Sequence, residues 1–274
     1  ARHVVVPADT VIDGVTYQIT ELGEAAFKDC EEMETLTFLS KDLKAWFTPI
    51  VACHKLKKVT MTSYISVNYP PFVSECESIE EYEILQPTDR VKVKNGMVLI
   101  NDFVYLAPTA LKGVVDISDT KGAGDYAFCG SKLITSVILP DNSTRIGGHA
   151  FNGCELLESV NTSDNLKEIG EAAFASCKSL KEIYINKDVT VGQSAFVGCS
   201  SLKELYIPKV DYFRLGLMCY SCNSLEELTI EAPDIRSLDE QSVAVCPELK
   251  LLRISCATPP QFPFVMPDFE FLHP

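Results

Sequence analysis

The chain has 274 residues, with 24 Lys and Arg against 38 Asp and Glu, so its formal net charge is −14 at pH 7. This acidity argues against nucleic acid as a partner, because a phosphate backbone is bound by basic surfaces. With 46% hydrophobic residues the chain can bury a core. It lacks the run of about 18 apolar residues that predicts a membrane span.

Cysteine spacing indicates that the sequence is built from repeats. Of the 11 cysteines, eight recur at steps of 22–24 residues in two series, Cys30, Cys53 and Cys76, then Cys154, Cys177, Cys199, Cys222 and Cys246. A disulfide framework has no reason to be periodic, whereas stacked structural units do. Ser131 lies 23 residues before Cys154 and keeps the same frame, so we count nine copies.

The residues around each frame position predict a coil that contains a short strand. Apolar residues follow at +3, +6 and +8, and after Cys177 they include Ile183 and Ile185. Thr162 breaks the pattern at +8 after Cys154. Alternation between +6 and +8 is strand periodicity. An Ala-Phe pair precedes several frame positions. We expect its Phe to fill the coil interior and the segment up to the cysteine to form a short helical or 3₁₀ turn.

Stacked coils of this kind form an α/β repeat solenoid with a parallel β-sheet, because one coil cannot bury its own apolar face. The gap between Cys76 and Ser131 is longer than two repeats, which indicates an insertion. Within it, Asn95-Gly96 joins two alternating segments, which is a strong hairpin signal. The strands of this β-hairpin insertion are predicted at Val91–Lys94, Met97–Ile100 and Phe103–Leu106.

The repeat motif I-G-x-x-A-F-x-x-C-x-x-L-x-x-L-x-I-P resembles the BspA-like leucine-rich repeat family of bacterial surface and secreted proteins. Its clearest copies run from Ile169 to Ile185 and from Val191 to Pro208, and the resemblance covers roughly residues 19–256. It implies a curved, right-handed superhelix of about nine repeats of 22–24 residues, interrupted in the middle by the hairpin insertion.

The same resemblance implies a single leucine-rich repeat domain over residues 1–274. Its parts would be an N-terminal cap hairpin at 1–18, repeats one to three at 19–84, the insertion at 85–115, repeats four to nine at 116–256 and a C-terminal exit segment at 257–274. Within the exit segment, we expect Phe269–Leu272 to cap the last coil as a strand.

The cysteine ladder is open to a chemical and to a structural interpretation. Stacked coils place equivalent Cα atoms about 4.8 Å apart with parallel Cβ vectors, and this exceeds the roughly 3.5–4.5 Å between the Cβ atoms of a disulfide. We therefore predict that the eight ladder cysteines are buried free thiols. Cys219-x-x-Cys222 resembles half a zinc site, but no second pair accompanies it. Cys129 and Cys256 lie off the ladder, so we expect any reactive or pairing thiol to be one of these two, with a purely structural role as the alternative.

Motifs for catalysis or cofactor binding are absent from the sequence. It contains no G-x-S-x-G elbow, H-E-x-x-H pair, P-loop or dinucleotide fingerprint. The four histidines are spread over different coils, at His3, His54, His149 and His273. We therefore expect no enzyme activity, no catalytic residue, no metal site and no cofactor.

The outer face of the predicted sheet is the remaining candidate surface for a partner. Its residues lie at +5, +7 and +9 from the frame, where Tyr184 and Tyr206 are neighbours bordered by Glu182, Glu204, Glu227 and Asn186. Aromatic groups within a polar rim bind protein and sugar surfaces. Exposed strands also tolerate Tyr for its β propensity alone. These six residues are the candidate binding site.

The resemblance implies a non-catalytic binding module of a bacterial cell-surface or secreted protein, which mediates protein–protein contact or cell adhesion through the exposed sheet face. Its partner would be a protein or glycan ligand such as a host matrix protein. A structural spacer that projects another domain, and a metal or thiol protein that uses the cysteines, are the alternatives. No signal peptide is recognisable, so we expect a signal or anchor segment to lie outside this sequence, although many unpaired cysteines suit a reducing compartment.

Overall fold

A computed structural model of the chain describes residues 1–67, 71–210, 218–231, 245–255 and 269–272. The chain divides into two compact units, Ala1–Leu111 and Lys112–Pro274. Among the described residues, every helix or strand assigned is a β-strand. The single domain over residues 1–274, with its internal boundaries, stays a prediction.

The first unit is a stack of coils whose strands form a parallel sheet. Four strands lie side by side in the order β1 (His3–Val6), β6 (Thr35–Phe38), β9 (Lys58–Met61) and β12 (Glu81–Ile84). Leu36 pairs with Val59, and Val59 pairs with Tyr82. All three are buried, so the +6 positions form one continuous row in the core, as the repeat frame predicts.

Two further ladders of two-residue strands run along other sides of the same coils. One consists of β4 (Glu21–Leu22), β7 (Lys44–Ala45) and β10 (Ser66–Val67), and the other of β5 (Phe27–Lys28), β8 (Ile50–Val51) and β11 (Val73–Ser74). Every pair in both ladders is parallel. Each coil therefore hydrogen-bonds its neighbour on several sides.

Antiparallel elements are inserted at two places in the first unit. Near the N-terminus, β2 (Asp9–Ile12) and β3 (Val15–Gln18) form a hairpin, whereas β1 lies in the coil sheet beside β6. The Asn95-Gly96 turn joins β13 (Val91–Lys94) to β14 (Met97–Ile100), and β14 pairs with β15 (Phe103–Leu106). The predicted hairpin insertion with its third strand is confirmed.

The coil strands of the second unit form two parallel sheets. One contains β16 (Gly113–Asp116), β18 (Ile134–Ile138) and β20 (Ser159–Asn161); the other contains β23 (Glu204–Ile207), β25 (Glu227–Glu231), β26 (Leu251–Ser255) and β27 (Phe269–Leu272). The strand expected at Phe269–Leu272 is confirmed, since β27 pairs in parallel with β26. The rest of the predicted exit segment lies outside the described residues.

A second sheet of short strands lies along another side of these coils. It is formed by β19 (Arg145–Ile146), β21 (Glu168–Ile169), β22 (Thr190–Val191) and β24 (Lys209–Val210), and β17 (Gly122–Ala123) occupies the equivalent place in the preceding coil. A glycine follows four of these five strands. The contacts of Gly170 show the packing reason. A Cβ atom at Gly170 would lie 2.5 Å from the backbone nitrogen of Gly148. A side chain there would force the coils apart.

The interior of the second unit is a column of aromatic rings. Phe128, Phe151, Phe174 and Phe196 are fully buried. Consecutive rings are stacked with centroids 5.4, 5.3 and 5.6 Å apart. The repeat solenoid with phenylalanine in the coil interior is therefore confirmed.

The α component of the predicted fold class is wrong for the described residues, because the segment from Ala-Phe to the cysteine is a series of turns. Cys154 N donates to Phe151 O at 3.1 Å, as in a tight turn, but Phe151 N donates to Ala173 O of the next coil at 2.8 Å. Gly153 N likewise donates to Ala175 O of the next coil at 2.8 Å. Because alternate backbone donors are used between coils, no continuous i→i−4 ladder can form. A positive φ of 54° at His149 and 75° at Gly153 also interrupts helical geometry.

The prediction that all eight ladder cysteines are buried is wrong at two positions. Cys30 and Cys246 are half-buried, whereas the other ladder cysteines are buried. Cys30 lies in the first and Cys246 in the last of the nine copies, so each has a further repeat copy on one side alone. Off the ladder, Cys129 is half-buried, and Cys256 lies outside the described residues.

Candidate functional site

Three of the predicted site residues line one pocket on the second unit. Tyr184, Tyr206 and Asn186 surround a cavity of about 620 Å³, together with the charged residues Asp164, Lys187 and Asp188. The volume is in the usual range of about 300–1,000 Å³ for ligand pockets. The structure therefore brings the aromatic pair to one concave surface, although the assignment of these residues as a binding site stays a prediction.

An interruption of the coil sheet accounts for the pocket. β20 ends at Asn161, β23 begins at Glu204, and residues 182–185 between them have no assigned strand. Thr162 occupies the +8 position that is apolar in the other coils, and its hydroxyl donates to the carbonyl of Tyr184. This side-chain bond competes with strand pairing for the Tyr184 carbonyl. The polar residue at this frame position therefore coincides with the opening in the sheet.

The two tyrosines differ in how they are held. Tyr184 is 63% exposed and presents its ring to solvent. The Tyr206 hydroxyl donates to Glu231 Oε2 at 2.7 Å. Burial raises the pKa of Tyr206 to about 12, and the hydrogen bond to the Glu231 carboxylate contributes to the shift. Tyr206 is thus a fixed neutral phenol, and Tyr184 is the more accessible ring.

None of the three acidic residues predicted for the rim lines the pocket itself. Glu204 lies on β23 and Glu227 on the neighbouring β25, whereas Glu182 lies in the segment without an assigned strand. Glu182 and Glu204 are exposed. Glu204 is in register with Glu227, which is half-buried and paired with Arg253 Nη1 at 2.9 Å. The charge of Glu227 is therefore partly balanced, whereas Glu182 and Glu204 give this face a negative potential.

Asn186 has a structural role within the pocket wall. Its Nδ2 donates to the carbonyls of Asp164 at 3.1 Å and of Leu166 at 3.3 Å, and its Oδ1 accepts from Asp188 N at 3.0 Å. Because both ends of the side-chain amide are already used, Asn186 shapes the turn that borders the pocket.

The cysteine ladder has a hydrogen-bonding role that the sequence does not reveal. The thiols of four cysteines each donate, at 3.1 Å, to the phenylalanine carbonyl of the preceding coil, and the pairs are Cys154–Phe128, Cys177–Phe151, Cys199–Phe174 and Cys222–Phe196. Burial raises the pKa of Cys177 well above its ordinary value. Such thiols stay protonated, which suits a donor and disfavours nucleophilic chemistry.

The described ranges hold neither a metal-ligand cluster nor a helix suited to a membrane span. No group of three or more His, Cys, Asp or Glu side chains there could hold a metal ion. Within the same part of the chain, no helix has the length and apolarity needed to cross a membrane.

A second groove on this unit was missed by the sequence reasoning. It has a volume of about 640 Å³ and is lined by residues that include Asp125, Tyr126, Arg145, His149 and Glu171. Arg145 lies on the short strand β19 and the other four lie in turns that follow short strands, so all five are outside the +5, +7 and +9 rows. The Gly147-Gly148 pair is the signal that could have located it, because the neighbouring copies carry one glycine there, at Gly124, Gly170 and Gly192.

Comparison with known proteins identifies the family of these coils. Six copies of the BspA type leucine-rich repeat region match residues 14–94 and 121–250, which is more than half of the chain. The chain belongs to the BspA-type leucine-rich repeat family. This family and its fold are typical of proteins that bind other proteins rather than of enzymes.

Solved structures similar to this BspA-type chain share its fold. A leucine-rich repeat protein from Eubacterium ventriosum has a TM-score of 0.54 at 15% identity, over 93% of this chain and 74% of that one. One from Bacteroides ovatus has a TM-score of 0.50 at 20% identity and covers 92% of this chain. The match spans 63% of the Bacteroides ovatus protein's length.

The pneumococcal vaccine antigen PcpA is also similar, with a TM-score of 0.50 at 14% identity, over 95% of this chain and 88% of that one. No curated protein sequence matches the chain. At these identities the likeness concerns the fold alone.

Proposed function

We propose that this chain is a non-catalytic binding module of a bacterial cell-surface or secreted protein, and that it holds a protein partner on the exposed face of its coil sheet. Membership of the BspA-type family supports a binding role. The likeness to a protein named as a vaccine antigen supports a place outside the cell. The partner would be a host matrix protein or a protein of another cell.

The observation that carries the proposal is the pocket between Tyr184 and Tyr206. Tyr184 is 63% exposed at the edge of a 620 Å³ cavity. A solvent-exposed tyrosine beside a concavity is the kind of residue that contributes most of the energy at protein interfaces. A partner side chain that enters the pocket would cover this ring and displace water from it.

The charge of this face indicates what the partner surface must contain. Glu182 and Glu204 lie exposed beside the tyrosines, and the chain as a whole carries a charge of −14. A partner with lysine or arginine around an apolar or aromatic centre complements this face. Association should then slow as salt screens the charges.

The test is a binding measurement with paired tyrosine variants. Immobilised fibronectin and laminin are titrated with the protein and with Tyr184→Ala, and we expect the variant to bind about tenfold or more weakly, the loss typical of an interface anchor. Tyr220→Ala is the matched control, since Tyr220 is exposed on the same unit and does not line this pocket. Equal affinity of both variants would exclude the pocket as the binding surface.

The same experiment separates the proposal from the spacer alternative. A spacer has no ligand of its own, so neither matrix protein would bind at any salt concentration. Binding that is weakened by Tyr184→Ala, and weakened further by raised salt, supports a binding module. Absence of binding to both proteins favours the spacer.

A further inference from the structure

The second groove of Lys112–Pro274 is built from equivalent positions of successive coils. Its walls come from the short strands β19, β21 and β22 and from the turns that follow β17, β19, β21 and β22. In these four coils a glycine directly follows the short strand, at Gly124, Gly147, Gly170 and Gly192. The turn position after this glycine is occupied in order by Asp125, Gly148, Glu171 and Gln193. The groove lies where this column passes from Asp125 to Glu171.

Gly148 opens the groove because it contributes no side chain between two carboxylates. A Cβ atom there would lie 3.5 Å from Glu171 O and 3.8 Å from Asp125 Oδ1, which is ordinary contact. By contrast, a Cβ at Gly147 would lie 2.3 Å from the backbone carbon of Gly124. Packing therefore requires glycine at position 147, whereas position 148 has room for a side chain. The consequence of glycine at 148 is that the space a side chain would fill belongs to the groove.

One wall of the groove is a stacked pair of rings. The Tyr126 and His149 rings have centroids 4.6 Å apart and an interplanar angle of 11°. The same column continues with Ala172, and all three residues have positive φ, of 60°, 54° and 49°. The repeated backbone geometry aligns these three side chains in one column. The ring stack ends at His149, because the next residue of the column, Ala172, has only a methyl group.

His149 is held as a neutral hydrogen-bond donor. Asn152 Nδ2 lies 3.0 Å from His149 Nδ1, and an amide nitrogen can only donate, so Nδ1 accepts and Nε2 carries the proton. Burial lowers the pKa of His149, although Glu171 and Asp125 act in the opposite direction. The wall is therefore an uncharged aromatic surface with one N–H at its edge.

The charged groups of the groove are largely balanced by one another. Arg145 Nη2 is 2.8 Å from Asp125 Oδ1, and Arg145 Nε is 3.0 Å from Glu168 Oε1. Lys167 lies 3.6 Å from Asp188. Glu171 is exposed on the rim. Arg145 and Lys167 are thus compensated, so the groove has no excess positive charge with which to hold an anion.

We propose that this groove binds a neutral saccharide of one or two sugar rings. The apolar C–H face of a pyranose would pack on the Tyr126–His149 wall, since sugars and aromatic rings both offer an apolar face with polar edges. Sugar hydroxyls would donate to Glu171 and Asp125 and accept from Arg145 and His149. The volume of about 640 Å³ is suited to a ligand of this size.

The experiment compares sugar binding by the protein and by Gly148→Leu, a variant whose side chain fills the space beside position 148. Saturation-transfer NMR is recorded on the protein with maltose, cellobiose, mannobiose, lactose and N,N′-diacetylchitobiose, each at up to about 10 mM, where weak sugar binding is detectable. We expect at least one of these sugars to bind. Gly148→Leu should weaken that sugar about tenfold or more.

Gln193→Leu is the matched control, because it adds the same side chain to the same column at an exposed position that does not line the groove. This variant should bind the sugar as the unchanged protein does. Circular dichroism checks the fold of both. If Gly148→Leu does not fold, Glu171→Ala replaces it, since an exposed side chain can be shortened without loss of packing.

Three results would overturn the proposal: no binding of any of the five sugars, equal binding by Gly148→Leu and Gln193→Leu, or preference for the anionic comparator sialyllactose. The proposal is independent of the sheet-face site. Tyr184→Ala should leave the sugar signal unchanged, and Gly148→Leu should leave matrix-protein binding unchanged, so failure of one proposal does not affect the other.

Discussion

Replacing Phe174 tests whether the coils are held together by the ring column. Phe174 is fully buried between Phe151 and Phe196, with ring centroids at 5.3 and 5.6 Å. Phe174→Ala should cost about 3–5 kcal/mol, the range for removing a buried aromatic ring. At about 2–4 °C per kcal/mol for a unit of this size, the melting temperature should fall by about 6–20 °C. Phe174→Asp should cost more, because it also buries a carboxylate.

The matched control is Lys178→Asp in the same coil. Lys178 is exposed and its ammonium lies 3.0 Å from Glu155 Oε2. An exposed ion pair contributes about 0–1 kcal/mol, so this substitution should leave the melting temperature almost unchanged. Thermal and urea denaturation followed by circular dichroism compare the variants. Similar shifts for Phe174→Ala and Lys178→Asp would show that the interior and exterior positions have been assigned wrongly.

Three further predictions concern the thiols, the glycines and the phenol. A thiol reagent should not modify the buried ladder cysteines of the folded protein, which are Cys53, Cys76, Cys154, Cys177, Cys199 and Cys222. After denaturation without reductant, the reagent should modify all of them. Protection that persists in denaturant would indicate disulfides. Gly170→Ala should lower stability by about 1–3 kcal/mol because of its 2.5 Å contact, whereas Gly148→Ala should change it by less than about 0.5 kcal/mol in the same denaturation assay. Equal effects of the two would contradict the packing assigned to Gly170. Ultraviolet titration should give Tyr206 a pKa of about 12, and Glu231→Gln should lower it. The folded state holds this proton more tightly, so the associated stability is present below pH 10 and is lost as the pH rises from 10 towards about 12. An unchanged titration in Glu231→Gln would exclude the hydrogen bond.

Much of the fold could be predicted because the interior of a solenoid repeats with the sequence. Leu36, Val59 and Tyr82 had to be apolar at the same frame position, since each packs against the next coil. The Asn95-Gly96 turn was likewise identifiable, because a two-residue hairpin restricts its residue types. The frame did not distinguish a helical turn from a series of turns. That choice depends on hydrogen bonds between coils, such as the bond from Phe151 N to Ala173 O.

The candidate sites were harder to predict, since surface positions carry no periodic constraint. The sequence indicated that Tyr184 and Tyr206 would be neighbours, but it did not indicate the opening in the sheet between them. Thr162 was visible as an exception in the frame, and its consequence depended on a bond to the Tyr184 carbonyl. Gly148 was overlooked for a related reason. The absence of a side chain at Gly148 can be recognised as part of a groove only when the residues on either side of it are known.

Hydrogen–deuterium exchange of the chain with and without bound fibronectin or laminin tests the central claim most directly, because it locates the partner without any substitution. A partner on the sheet face should slow amide exchange at residues 182–186 and 204–207, which carry the two tyrosines of the pocket. Exchange around Tyr220 should not change. Protection confined to other segments, or no change in any segment at saturating partner, would contradict a binding surface at Tyr184 and Tyr206.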